Sequence, residues 1–103
     1  LKQPNRPTAI FAGSDLQAMG VYEAARQLGL RIPEDLSVVG FDDVQTAAFL
    51  GPALTTVRQP LQDMARAAVR MLVEALSTDD VIQPHIIMPT SLVVRNSTQQ
   101  LEG

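Results

Sequence analysis

The chain contains no cysteine, which excludes a disulfide framework, a zinc ribbon and a thiol nucleophile. Nor does it hold a run approaching the roughly 20 apolar residues that a membrane-spanning helix needs. The opening residues, 1–8, are polar and carry prolines, unlike the apolar core of a secretory signal. Basic residues are scarce: eight Lys and Arg stand against eleven Asp and Glu, for a formal charge of −3. A grip on nucleic acid needs clustered cations to neutralise phosphates, so any contact with DNA must come from outside this segment. The single histidine, His85, lies in an apolar run at no spacing that suits a metal site or a catalytic triad, and reads as structural. Walker-type and dinucleotide glycine loops are absent. Ala12-Gly-Ser-Asp15 looks like a strand-to-helix nucleophile turn, yet it lacks the Gly-x-Ser-x-Gly frame and any evident base. With no nucleophile, metal ligand set or phosphate cradle, catalysis by a Rossmann-type enzyme is the remotest reading, and neither a metal nor a cofactor is expected.

What the sequence does contain suits a globular protein. Hydrophobic residues make up 46% and charged residues 18% of 103 positions, which points to a soluble chain with room for one domain or part of one. A start at Leu1 rather than Met suggests a piece of something longer.

Residues 8–12 form a short apolar run between Pro7 and Gly13, which predicts a strand buried on both faces of a parallel sheet. Ser14 is placed to cap a helix whose apolar positions Leu16, Met19, Ala24 and Leu28 recur at helical spacing until Gly29 stops it. After a connector interrupted by Pro33, residues 36–41 read as a second strand, so the order strand, helix, strand is a βαβ crossover with parallel pairing. Residues 42–50 are irregular or weakly helical, and 53–57 are β-branched and extended. Pro60 opens a second helix over 61–76, with Leu61, Met64, Ala65, Ala68, Leu72, Ala75 and Leu76 on one stripe, read as core in preference to a partner groove. A polar turn at 77–80 precedes two short strands, 85–88 and 91–94, and the tail from Asn96 is polar enough to fray. The class is α/β.

Ligands of open α/β sheets bind beyond the carboxyl ends of parallel strands. Ser14-Asp15 follows the first strand and Asp42-Asp43 the second, so parallel pairing sets both on one edge. A carboxylate there can accept hydrogen bonds from adjacent sugar hydroxyls or from the N–H edge of a base without any covalent step. The plainer alternative is that Ser14 or Asp15 only caps the helix and that Asp42-Asp43 only makes a turn. Phe49 and Leu50, large apolar residues in a loop bounded by glycine and proline, either fold back onto the sheet or pack against another subunit.

Four blocks, Pro7-Thr-Ala-Ile-Phe-Ala-Gly-Ser-Asp15, Gly29-Leu-Arg-Ile-Pro-Glu-Asp-Leu-Ser-Val-Val-Gly-Phe-Asp-Asp43, Pro52-Ala-Leu-Thr-Thr-Val-Arg-Gln-Pro60 and Met88-Pro-Thr-Ser-Leu-Val-Val-Arg-Asn-Ser-Thr98, together resemble the C-terminal third of LacI-type transcription regulators. The resemblance implies a fragment of a two-lobe core shaped like the periplasmic sugar-binding proteins, each lobe a Rossmann-like parallel sheet. By that analogy 7–53 belong to the C-terminal lobe, 54–60 cross over, 61–76 are a helix of the N-terminal lobe and 85–98 return. It further implies an effector, a sugar, sugar phosphate or purine, contacted by Asp42 and Gln59. Ser14 stands where the family usually has Asn, and Asp15 follows it as a further candidate contact. A homodimer through Phe49 and Leu50, operator DNA bound by a missing N-terminal helix-turn-helix, and a cytoplasmic location away from membranes complete the expectation. A periplasmic sugar receptor of the same fold is the main rival, but Ile32-Pro-Glu-Asp-Leu-Ser-Val38 and Leu54-Thr-Thr-Val-Arg-Gln-Pro60 look more like regulators.

Overall fold

The computed structural model describes residues 1, 3–77 and 87–101. The chain divides into two compact units, one of Leu1–Arg58 with Ser91–Gly103 and one of Gln59–Thr90.

The first unit is a four-stranded sheet in the order β1-β2-β3-β4 with one long helix. Strands β1 (Ala9–Phe11), β2 (Ser37–Asp42) and β3 (Thr55–Arg58) run parallel, and β4 (Ser91–Val93) pairs antiparallel with β3. Helix α1 (Asp15–Gln27) makes the crossover from β1 to β2, as the periodicity predicts. Ser14 caps its start by accepting from Gln17 N at 3.1 Å. At its end Gly29 takes a left-handed φ of 69°, and the bonds Leu30 N to Ala25 O and Gly29 N to Arg26 O close a Schellman turn. The glycine is required there because a side chain would oppose that backbone conformation. The loop after β2 becomes a 3₁₀ turn, η1 (Gln45–Phe49).

Small side chains set how closely α1 lies on the sheet. Ala18 and Ala25 of the helix meet Ala12, Leu36, Val38, Ala47 and Leu54 in the buried core, flanked by Ile10, Val21, Tyr22, Leu30, Ile32 and Leu50. The alternation along β2 follows from this: Val38 and Gly40 are buried, while Val39 and Phe41 on the opposite face are half-covered. Strand β1 departs from the expectation of burial on both faces, since Phe11 is 66% exposed. Within this unit α1 covers one sheet face, and side chains alternate across a strand.

Over the described residues the polar tail is tied down rather than frayed. Ser97 is fully buried; its Oγ accepts from Thr55 N at 2.8 Å and donates to Val38 O at 2.5 Å. Its carbonyl accepts from Val38 N at 2.9 Å, and Asn96 N donates to Ala53 O at 3.0 Å. The tail thus bridges the starts of β2 and β3, satisfying backbone groups that burial would otherwise leave unpaired.

The second unit contains α2 (Leu61–Ser77), which starts just after Pro60 as predicted. Its apolar stripe is not core in this chain: none of its residues is buried, and Leu61, Met64, Leu72 and Leu76 are exposed. A single helix buries its stripe only against another layer. Of the expected strand at 85–88, Ile87 and Met88 lie in a stretch without regular structure, while His85 falls outside the described residues.

Replacing Ser97 by Ala strands Thr55 N and Val38 O in the interior. Urea denaturation of the variant is expected to show a loss of about 1–3 kcal/mol; an unchanged midpoint would refute the bridging role.

Candidate functional site: the carboxyl edge of the parallel sheet

Because β1, β2 and β3 are parallel, the segments that follow them gather at one edge. Ser14 and Asp15 follow β1, Asp42 ends β2 with Asp43 just after it, and Arg58, in register with Asp42, ends β3. Gln59 is the first residue of the second unit, and its carbonyl accepts from Leu61 N at 2.8 Å.

The two aspartates after β1 and β2 have different tasks. Asp15, the first residue of α1, is fully buried. Its Oδ1 accepts from Thr56 Oγ1 at 2.6 Å and its Oδ2 from Val44 N at 2.8 Å. Both oxygens are thereby engaged inside the protein, and the helix N-terminus favours an acidic group at that position. A ligand contact through Asp15 conflicts with this burial: the side chain ties α1, β3 and the loop after β2 together. Gly40 makes room for it, since a Cβ at residue 40 would overlap the Asp15 carboxyl and crowd Leu54 Cδ2 at 2.9 Å. Ser14 is half-buried and its hydroxyl serves as the helix cap.

Asp43 is bound from two sides. Its Oδ2 accepts from Arg58 Nε at 2.7 Å and its Oδ1 from Arg95 Nη2 at 2.8 Å. The Asp43 side chain is 9% exposed and that of Arg95 17%, so this pair is screened far less than a surface ion pair. Arg95 is itself fixed, donating Nη1 to Leu54 O at 2.8 Å and its backbone N to Thr55 Oγ1 at 2.8 Å. Burial pushes the Asp43 carboxyl upward, but the bonds from Arg58 and Arg95 outweigh it and hold the group below the ordinary carboxylate value.

Asp42 and Asp43 both adopt positive φ, 120° and 60°. Such backbone costs on the order of 1–3 kcal/mol per residue and persists where surrounding bonds enforce it, commonly at ligand sites. The enforcement here is visible: the β2–β3 ladder holds the chain through Asp42, two arginines hold Asp43, and Asp15 holds Val44 N. Neither Arg58 nor Arg95 stands out in the sequence, because their partner lies far away along the chain. The only local hint is the doubled aspartate.

Elsewhere, a groove of about 670 Å³ runs along the outer face of β1 and β2, lined by Ile10, Phe11, Val39, Thr98 and Leu101 among others. It does not include Asp42. Near the loop end, Phe49 is 86% exposed whereas Leu50 folds back against the core. Among the described residues no group of three or more His, Cys, Asp or Glu side chains could hold a metal ion, and no helix is long and apolar enough to cross a membrane.

With this geometry in place, comparison with known proteins defines the class. Residues 1–98 match the model of the periplasmic binding protein-like domain, and the chain belongs to that family, with LacI-type transcription regulators as its relatives and structural neighbours. It is 52% identical, over 90% of its length, to an uncharacterised HTH-type transcriptional regulator of Streptomyces limosus, covering 26% of that protein. It is 47% identical over 93% of its length to the HTH-type transcriptional regulator MalR of Streptomyces coelicolor, covering 28%. Among solved structures, a LacI family regulator of Enterococcus faecalis with bound ribose superposes with a TM-score of 0.92 at 31% identity, over 96% of this chain and 37% of that one. The complex of the regulator CelR with cellobiose gives 0.84 at 37% identity, over 87% and 28%. The chain thus spans between a quarter and a third of the first three curated relatives, 26–28% of each.

Two outcomes follow from the buried carboxyls. Asp15→Ala leaves the Thr56 hydroxyl and Val44 N–H without acceptors and is expected to cost about 2–4 kcal/mol in denaturant titration, with Gly40→Ala costing about 1–3 by displacing the same group. Since the folded-state pKa of Asp43 is lowered, its stabilisation is full above the unfolded value near 3.9 and is lost as pH falls through the lower folded value. Thermal melts of wild type and Asp43→Asn are therefore expected to differ at pH 7 and to draw together as pH falls below about 4.

Proposed function

We propose that this chain is the C-terminal portion of the effector-binding core of a LacI-type transcription regulator, and that its sheet edge contributes to a cleft for a small polar effector, a sugar before a sugar phosphate or purine. The observation that carries the reading is Asp42. It ends a parallel strand at the ligand-binding edge of the sheet, on backbone that its neighbours hold in a costly conformation. Support comes from the neighbours crystallised with ribose, cellobiose and sucrose. A carboxylate accepting from two adjacent hydroxyls is the chemistry a sugar offers.

In this reading Asp42 and Gln59 contact the effector, Ser14 offers one hydroxyl beside its capping role, and Asp15 acts by holding the loop. Residues 54–60 and the returning residues within 85–98 are the passages between two lobes, with the helix over 61–76 in the N-terminal lobe. The full-length protein, acting in the cytoplasm, binds operator DNA as a homodimer through an N-terminal helix-turn-helix, and effector binding alters that affinity. No residue is assigned a catalytic role.

The test is calorimetric titration of the full-length protein with ribose, cellobiose, sucrose and hypoxanthine. For the ligand that binds, Asp42→Ala is expected to weaken affinity by roughly tenfold to a hundredfold, the worth of one or two charge-assisted hydrogen bonds. Unchanged affinity would overturn the assignment of Asp42, and tight binding by a protein without DNA affinity would favour a receptor.

The dimer reading shifts to Phe49, the exposed member of the pair. Sedimentation of Phe49→Asp is expected to show monomer where wild type is dimer, with Leu50→Asp instead lowering stability because Leu50 packs on the core.

A further inference from the structure

The two positive φ values at Asp42 and Asp43 need a cause, and neither residue is glycine. Asparagine and aspartate tolerate the left-handed region better than other side chains, yet 120° at Asp42 lies outside the well they share. The ladder with β3 fixes Asp42 opposite Arg58. Immediately beyond it, the Asp43 carboxylate reaches back to the guanidinium of that same Arg58 and across to Arg95. Arg95 is anchored in turn by Leu54 O and Thr55 Oγ1, both on or next to β3. The ladder and these bonds thus bracket the two residues of positive φ, Asp42 and Asp43.

We propose that Asp43, with the half-buried Arg95 as its second partner beside Arg58, is the positioning residue of the effector site. Its clamp holds Asp42 in the left-handed backbone that aims the effector-binding carboxylate, an inference that rests on the effector reading of Asp42 above. The clamp also has a place in the chain's path. Arg58 is the last residue before the chain enters the second unit, and Arg95 follows soon after it returns at Ser91. Asp43 therefore ties the residue beside the effector contact to both passages. Asp43 is not itself an effector contact, because both of its oxygens are committed to arginines and its side chain is nearly covered.

The test uses the full-length protein in four variants: Asp42→Ala, Arg95→Met, Arg95→Lys and Asp43→Asn. Arg95→Met removes the half-buried partner of Asp43 and leaves both aspartates. A crystal structure of this variant is expected to show Asp42 relaxed to negative φ, with Asp43→Asn as the second structure should Arg95→Met fail to fold. An Asp42 φ that stays near its wild-type value overturns the proposal, whether or not a sugar is bound. Calorimetry with ribose, cellobiose and sucrose gives the functional arm. Arg95→Met is expected to bind about tenfold more weakly, as for the loss of one well-placed hydrogen bond, and Arg95→Lys, which keeps a cation for Asp43, to regain most of that affinity. Loss of affinity in Asp42→Ala with full affinity in Arg95→Met overturns the clamp alone. Full affinity in Asp42→Ala overturns the effector reading itself.

Discussion

Everything at the candidate site depends on how the chain is held as it leaves β2. Asp42 and Asp43 depart from extended backbone, while strand pairing holds the first, two arginines hold the second and a buried aspartate holds the N–H of Val44 just beyond them. A carboxyl as deeply buried as Asp15 survives because each oxygen has a donor and because it sits at a helix N-terminus. The glycine at 40, the threonine at 56 and the start of α1 all serve that one group. Removing any of them loosens the same few residues, so the sheet's construction and the site's geometry are one problem.

For the effector site proposed above, such rigidity means that less conformational freedom is lost when a ligand engages Asp42. The Asp43 bonds also lie where the chain leaves the first unit and where it returns: Arg58 is the last residue before the second unit, and Arg95 follows the return at Ser91.

Local signals carried much of the architecture. Ser14 and Gly29 mark the ends of α1 because capping chemistry is written in single residues, and the βαβ order follows from apolar runs separated by one amphipathic segment. The place of Asp42 at the carboxyl end of β2 was legible for the same reason, since its apolar run ends there. What escaped was long-range. The Asp43–Arg95 pair spans 52 positions, and the burial of Ser97 depends on backbone groups of β2 and β3 that no local pattern announces. Phe11 and the stripe of α2 failed in the opposite sense. Their periodicity identified strand and helix correctly, but periodicity records which face is apolar, not whether another layer covers it. For Asp15, cap and ligand contact looked alike until the positions of Thr56 and Val44 were known.

The proposed function requires that a small molecule at this edge change the grip of the whole protein on DNA. The most direct measurement is fluorescence anisotropy of the full-length protein on its own promoter DNA, with and without the sugar that binds it, for wild type and Asp42→Ala. A coupling of roughly 5-fold to 150-fold in DNA affinity is expected in the wild type and none in the variant. A sugar that saturates the wild-type protein and leaves its DNA affinity unchanged would contradict the account.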